Sequence, residues 1–143
     1  MTSAASQSPR LGHPALANVL VVEDEISLLD VFVAALGNDF NVVTAKSARE
    51  ADARLQQEEF KVILADHLMP GENGLSLLIR AREMRPHMQR ILVTGFLKAD
   101  ILLRSVNEAG VFRCLLKPVS LAELVAVVRD AARAHDSSVA AAL

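Results

Sequence analysis

Apolar and polar positions divide this chain into five short runs alternating with five longer stretches. The runs at residues 18–22, 40–44, 61–66, 90–94 and 111–116 are rich in Val, Ile and Leu and end abruptly at polar or turn residues. Continuous apolar runs of this length read as strands buried on both faces, as in a parallel sheet. Between them the pattern predicts helices over 26–36, 48 to about 57, 74–84, 98–108 and 121 to about 134. Ser47 with Glu50, and Ser120 with Glu123, have the spacing of a capping box and mark two helix starts; Gly37 and Gly110 mark two stops. Strand and helix alternating five times with short connections predict βαβ units with right-handed crossovers around one parallel sheet. Residues 1–16, rich in Ser, Ala and Pro without periodicity, read as a disordered tail. Residues 17–135 read as a single domain, and 136–143 as a frayed C-terminal tail.

Composition narrows the options. The 143 residues are 52% hydrophobic but only 3% aromatic, with no Trp or Tyr, so the core must be aliphatic. A net charge of −2 makes no electrostatic case for binding nucleic acid or an anionic membrane. Cys114 is the only cysteine, which excludes an internal disulfide and a multi-cysteine metal site. No apolar run approaches the ~20 residues that span a bilayer, and the N-terminus lacks the pattern of a secretory signal. The expected location is the cytoplasm.

Chemistry is concentrated where the strands end. The first run gives out at Glu23 and Asp24, the third at Asp66, the fourth at Thr94 and the fifth at Lys117. In a parallel sheet these ends share one edge, the edge where such sheets bind ligands. Each residue alone has an ordinary explanation: Asp66 as a turn or cap, Glu23 and Asp24 as an acidic helix start, Thr94 and Lys117 as solvated ends. Their joint occurrence does not. Three carboxylates at ~4 Å and an effective dielectric near 20 repel by roughly 4 kcal/mol per pair. One lysine cannot offset that, whereas a hard divalent cation with oxygen ligands, such as Mg2+, can. A carboxylate beside Mg2+, a lysine and a hydroxyl is equipped to attack a phosphoryl group and hold it.

The set Val19-Leu-Val-Val-Glu-Asp-Glu25, Val62-Ile-Leu-Ala-Asp-His-Leu-Met-Pro-Gly-Glu-Asn-Gly-Leu75, Ile91-Leu-Val-Thr-Gly95 and Leu115-Leu-Lys-Pro118 resembles the receiver domain of two-component response regulators in order and spacing. The resemblance implies a flavodoxin-like three-layer α/β sandwich with strand order 2-1-3-4-5. It implies that Asp66 accepts a phosphoryl group from a sensor histidine kinase or a histidine phosphotransfer protein. Asp24, Asp66 and the Leu68 carbonyl would hold Mg2+, with Glu23 acting through water. Thr94 and Lys117 would contact the phosphoryl group, and the peptide between Lys117 and Pro118 would be cis. His67 would point away from the pocket.

Two positions depart from the family's pattern. Cys114 stands where an aromatic residue usually accompanies Thr94 in the switch. Phe112 lies two residues earlier and, by strand alternation, on the same face. A small buried hydrophobe is the simpler role for Cys114 than a redox one. Leu68 and Phe96, the positions that flank the phosphoryl group, are both apolar and cannot orient an attacking water. A long-lived phosphoryl group is therefore expected.

Apolar excess on the first helix suggests a docking face for the kinase, and on the fourth and fifth a face for a downstream partner or a homodimer. An output domain outside this sequence is the other route. Residues 106–118 further resemble receivers that precede metal-dependent phosphohydrolase domains. Two other readings compete. A degenerate receiver would act as a scaffold without phosphorylation. An aspartyl-phosphate phosphohydrolase would need a second acid two residues after Asp66, where Leu68 stands. The expectation is a signalling phosphoacceptor rather than an enzyme.

Overall fold

The computed structural model describes residues 16–143. The N-terminal tail expected from composition lies, but for Leu16, outside them. The order of elements is β1 (Ala17–Val22), α1 (Ile26–Leu36), β2 (Phe40–Ala45), α2 (Ala48–Gln57), β3 (Val62–Asp66), α3 (Gly74–Met84), β4 (Gln89–Thr94), α4 (Ala99–Asn107), β5 (Arg113–Leu116) and α5 (Leu121–Ala142). All five strands are parallel, in spatial order β2-β1-β3-β4-β5. This is the flavodoxin-like order, and its reversal between β1 and β3 opens a crevice at the strand ends.

Alternation within each strand sends side chains to two separate apolar layers. Val19, Val21, Leu64 and Val93 pack against α1 and α5. Leu20, Val22, Ile63 and Leu92 pack against α2 and α3, with Ile101 of α4 on the same side. β3 is buried throughout, and β1 and β4 are buried from Val19 and Arg90 onward, which is why they read as apolar runs. Both capping serines act as expected, accepting from Glu50 N at 3.1 Å and from Glu123 N at 3.3 Å. Asn73 caps α3 in the same way, accepting from Ser76 N at 2.9 Å.

Two expectations are corrected. The last helix does not end near residue 134 with a frayed tail behind it; α5 continues to Ala142. Alanine favours helix at six of its last twelve positions, and polar bonds from the body of the domain hold its final turns. β5 begins at Arg113 rather than Val111, so strand alternation does not extend to Phe112. Phe112 packs with the α1/α5 layer while Cys114 packs with the opposite one, and Phe112 cannot stand in for an aromatic at Cys114. Among the described residues no helix is long and apolar enough to cross a membrane.

Candidate functional site

Register delivers the predicted residues to one place. Val22 pairs with Ala65, so Glu23 and Asp24 follow β1 beside Asp66, the last residue of β3. Thr94 ends β4 opposite Leu116, and the next residue of the β5 chain is Lys117, whose N–H donates to the Thr94 carbonyl at 2.8 Å. The peptide from Lys117 to Pro118 is cis, as expected.

Glu23, Asp66 and Thr94 are buried, at 1%, 4% and 1% exposure. The Lys117 ammonium lies 2.9 Å from Asp66 Oδ1 and 3.5 Å from Glu23 Oε1. Glu23 Oε2 accepts from the Glu25 N–H at 3.1 Å, while Oε1 is buried without a hydrogen bond. One carboxylate oxygen from each of Glu23, Asp24 and Asp66 falls within 4.8 Å of the others. Burial pushes both the Glu23 and Asp66 carboxyls above their ordinary range; the Asp66 and Asp24 charges add to the shift of Glu23 and the Asp24 charge to that of Asp66, against the lowering effect of Lys117 on both. Burial pulls the Lys117 ammonium down, but its hydrogen bond and charge interaction with Asp66, helped by Glu23, outweigh burial and leave it raised. Three carboxylates thus face one ammonium, and buried Glu23 Oε1 has only the longer 3.5 Å ion pair with it. A hard dication coordinated by oxygen fits this donor set.

The remaining predicted residues surround the pocket. Leu68 and Phe96 are exposed at its rim, at 66% and 64%. The Lys98 ammonium sits 5.4 Å from the Phe96 ring centre. The Thr94 hydroxyl is engaged with the main chain of Phe96, donating to its carbonyl at 3.1 Å and accepting from its N–H at 3.2 Å. Cys114 is half-buried, and burial pushes its thiol up, away from the reactive thiolate.

His67 turns toward α3, where its Nδ1 accepts from the Leu75 N–H at 3.4 Å. Burial lowers its pKa, more than the neighbouring Asp66 charge raises it, and the neutral ring serves as acceptor. The sequence reading missed the clamp on the β3–α3 loop. Arg80 bonds both Asp52 oxygens, at 2.9 and 3.0 Å, and also pairs with Glu72. No sequence spacing could signal it, because Arg80 and Asp52 lie 28 residues apart. Gly74 has a visible cause: a Cβ there would lie 2.2 Å from the Asp66 carbonyl oxygen.

Residues 19–129 match the family model described as the response regulator receiver domain. The chain belongs to that family. A curated relative, the hydrogenase transcriptional regulatory protein HoxA of Cupriavidus necator, is 39% identical over 83% of this receiver and 25% of its own length. This receiver therefore spans about a quarter of the curated relatives it matches. A CheY-like receiver structure from Methanospirillum hungatei superposes with a TM-score of 0.82 at 29% identity, covering 87% of this chain and 99% of that one. The signal receiver domain of an HD domain-containing protein from Pseudomonas fluorescens also reaches 0.82, at 25% identity, covering 85% and 98%. The fold and the acidic pocket at its strand ends are those of a response regulator receiver, a signalling domain.

Proposed function

We propose that Asp66 is the phosphoacceptor of this receiver. A carboxylate oxygen attacks phosphorus carried on a histidine nitrogen of a sensor kinase or phosphotransfer protein. The P–N bond breaks, a P–O bond forms, and the histidine nitrogen keeps the electron pair. The observation that carries this reading is the buried Asp66 carboxylate at the end of a central strand, 2.9 Å from the Lys117 ammonium and within 4.8 Å of two further acids. Lys117 balances charge on the incoming oxygens, and the Thr94 hydroxyl would exchange the Phe96 carbonyl for a phosphoryl oxygen. Asp24, Asp66 and the Leu68 carbonyl would hold Mg2+, with Glu23 acting through water. The ion supplies charge neutralisation for the acids and the phosphoryl oxygens. The switch of this receiver would join Thr94 to Cys114 without an aromatic partner.

Exposed apolar residues support the choice of docking faces. Ile26 and Val31 of α1 are 53% and 42% exposed. A groove of about 440 Å3 beside them, lined by Leu28, Phe32, Pro118 and Val119, suits the apolar side of a kinase helix. Leu102, Leu103 and Val106 of α4 are exposed and suit a downstream partner, an attached output domain or a second copy. Val125, Val127 and Val128 of α5 instead pack into the core and leave the fifth helix without the apolar face expected of it. The cytoplasm is the compartment that this exchange with a kinase requires.

A small phosphodonor with Mg2+ should modify the wild type once, and Asp66→Asn not at all, by intact-mass analysis. Absence of modification in both would support a scaffold, and continued turnover of phosphoesters a phosphohydrolase. Since Leu68 and Phe96 cannot orient water, the phosphoryl group should survive for minutes or longer in the purified protein. Leu68→Asn should shorten that lifetime about tenfold, the effect of one restored polar contact of about 1.4 kcal/mol in the barrier. Decay of the wild type within seconds would overturn the shielding role.

A further inference from the structure

The end of α5 runs past the sheet and is held on the edge opposite the acidic pocket. Leu124, Val128 and Ala131 are buried against the sheet, and the same stripe continues at spacings of four and three through His135, Ser138 and Val139. These last residues meet the turns that open β3 and β4. His87 Nδ1 and Ser138 Oγ are 2.6 Å apart, and Lys61 Nζ lies 2.7 Å from Asp136 Oδ1. His135 and Val139 line a small cavity of about 160 Å3 with Phe60 and Pro86. The base of this contact is fixed: the Lys61 N–H donates to the Asn18 carbonyl at 3.0 Å and its carbonyl accepts from Gln89 N at 2.9 Å.

We propose that residues 135–142 are a docking element, with the edge formed by Lys61, Phe60 and His87 as their receiving surface. The occupant is the chain's own helix end. α5 is thereby held as a strut whose direction is set by the starts of β3 and β4, the strands that carry Asp66 and Thr94 at their other ends. A module joined to α5 would move with the sheet as one body instead of swinging on a tether.

Helix propensity alone would leave these turns frayed, because terminal turns without tertiary contacts open readily. A surface ion pair such as that between Lys61 and Asp136 contributes little by itself. The combination with His87–Ser138 and the packing of Val139 is what distinguishes docking from propensity. The inference does not depend on Asp66 being phosphorylated.

Amide hydrogen exchange on the 143-residue protein tests it, run at two protein concentrations. Amides of residues 136–141 should exchange at least about tenfold slower than unstructured chain, as expected for a docked segment. The double variant Lys61→Ala with Ser138→Ala, and separately Val139→Asp, should return them to near-unstructured rates while residues 124–131 stay protected. Asp66→Asn should leave the pattern unchanged. Fast exchange in the wild type would overturn the proposal. So would protection that survives both variants, or that rises with protein concentration, which would indicate pairing of copies through the alanine-rich end. The double variant changes only surface groups, so it remains decisive if Val139→Asp fails to fold.

Discussion

Among the described residues, Lys117 is the cation that pairs with Glu23 and Asp66, and the balance at the site rests on it. Removing its ammonium leaves two buried carboxylates uncompensated. Lys117→Ala should therefore destabilise the metal-free protein by about 1–3 kcal/mol, read from urea unfolding. The acids act in the opposite sense. Their folded pKa values stand above the ordinary 3.8 of Asp and 4.5 of Glu, so the folded state holds more protons than the unfolded one in that window. Metal-free stability should fall as pH rises from near 4 through the raised values. Asp66→Asn should flatten part of that slope and raise Tm at pH 7. Lys117, also raised, contributes stability below its ordinary 10.5 that is lost only when pH climbs past its folded value. A metal-free Tm that rises between pH 4 and 7 and is unmoved by Asp66→Asn would contradict this balance.

At the scale of elements, the β3–α3 connection carries most of the site's geometry. Asn73 supplies the cap that starts α3, and Asn73→Ala should cost about 1 kcal/mol in thermal or urea unfolding. Gly74 follows because the first turn of α3 crosses the end of β3 too closely for a side chain. A methyl group there must displace backbone beside Asp66. Gly74→Ala should cost about 1–3 kcal/mol, as overpacking does, and should slow phosphodonor labelling of Asp66 more than Asn73→Ala does. The opposite end of the molecule has its own polar frame. The Arg90 guanidinium is buried and donates to the carbonyls of Ala109 at 2.7 Å and Gly110 at 3.2 Å. Arg82 donates to those of Asn107 and Glu108, both at 3.2 Å. Arg82 thus takes up carbonyls at the C-terminal end of α4, and Arg90 those of the turn behind it, where Gly110 adopts a φ of +56°.

For the molecule as a whole, two aliphatic layers hold the sheet and the pocket opposes them. Truncating Leu78, fully buried in the α2/α3 layer, should cost about 2–5 kcal/mol. A cation that binds the folded pocket alone offsets the repulsion and raises stability by mass action. At a Mg2+ concentration of about 100 Kd the gain should be near 2.7 kcal/mol. Differential scanning calorimetry should show a Mg2+-dependent rise in Tm for the wild type and little or none for Asp24→Asn. An equal rise in both would place the ion elsewhere.

The alternation of apolar runs with helical stretches determined the order of elements and the parallel sheet, because strands buried on both faces must be apolar throughout. It also determined which residues share an edge: Glu23, Asp24, Asp66, Thr94 and Lys117 each follow an apolar run directly, and parallel strands bring such ends together. Local chemistry marked the serine caps at residues 47 and 120. Only the tertiary structure decided what depends on contacts distant in sequence. Arg80 reaching Asp52, and Arg82 reaching the carbonyls of Asn107 and Glu108, have no local signature. The extent of α5 is of the same kind, since its last turns are weakly amphipathic and are held by Lys61 and His87 from other parts of the chain. Phe112 marks the remaining limit. Two-residue periodicity assigns a face only inside a strand, and where β5 begins is set by its pairing with β4, not by its own residues.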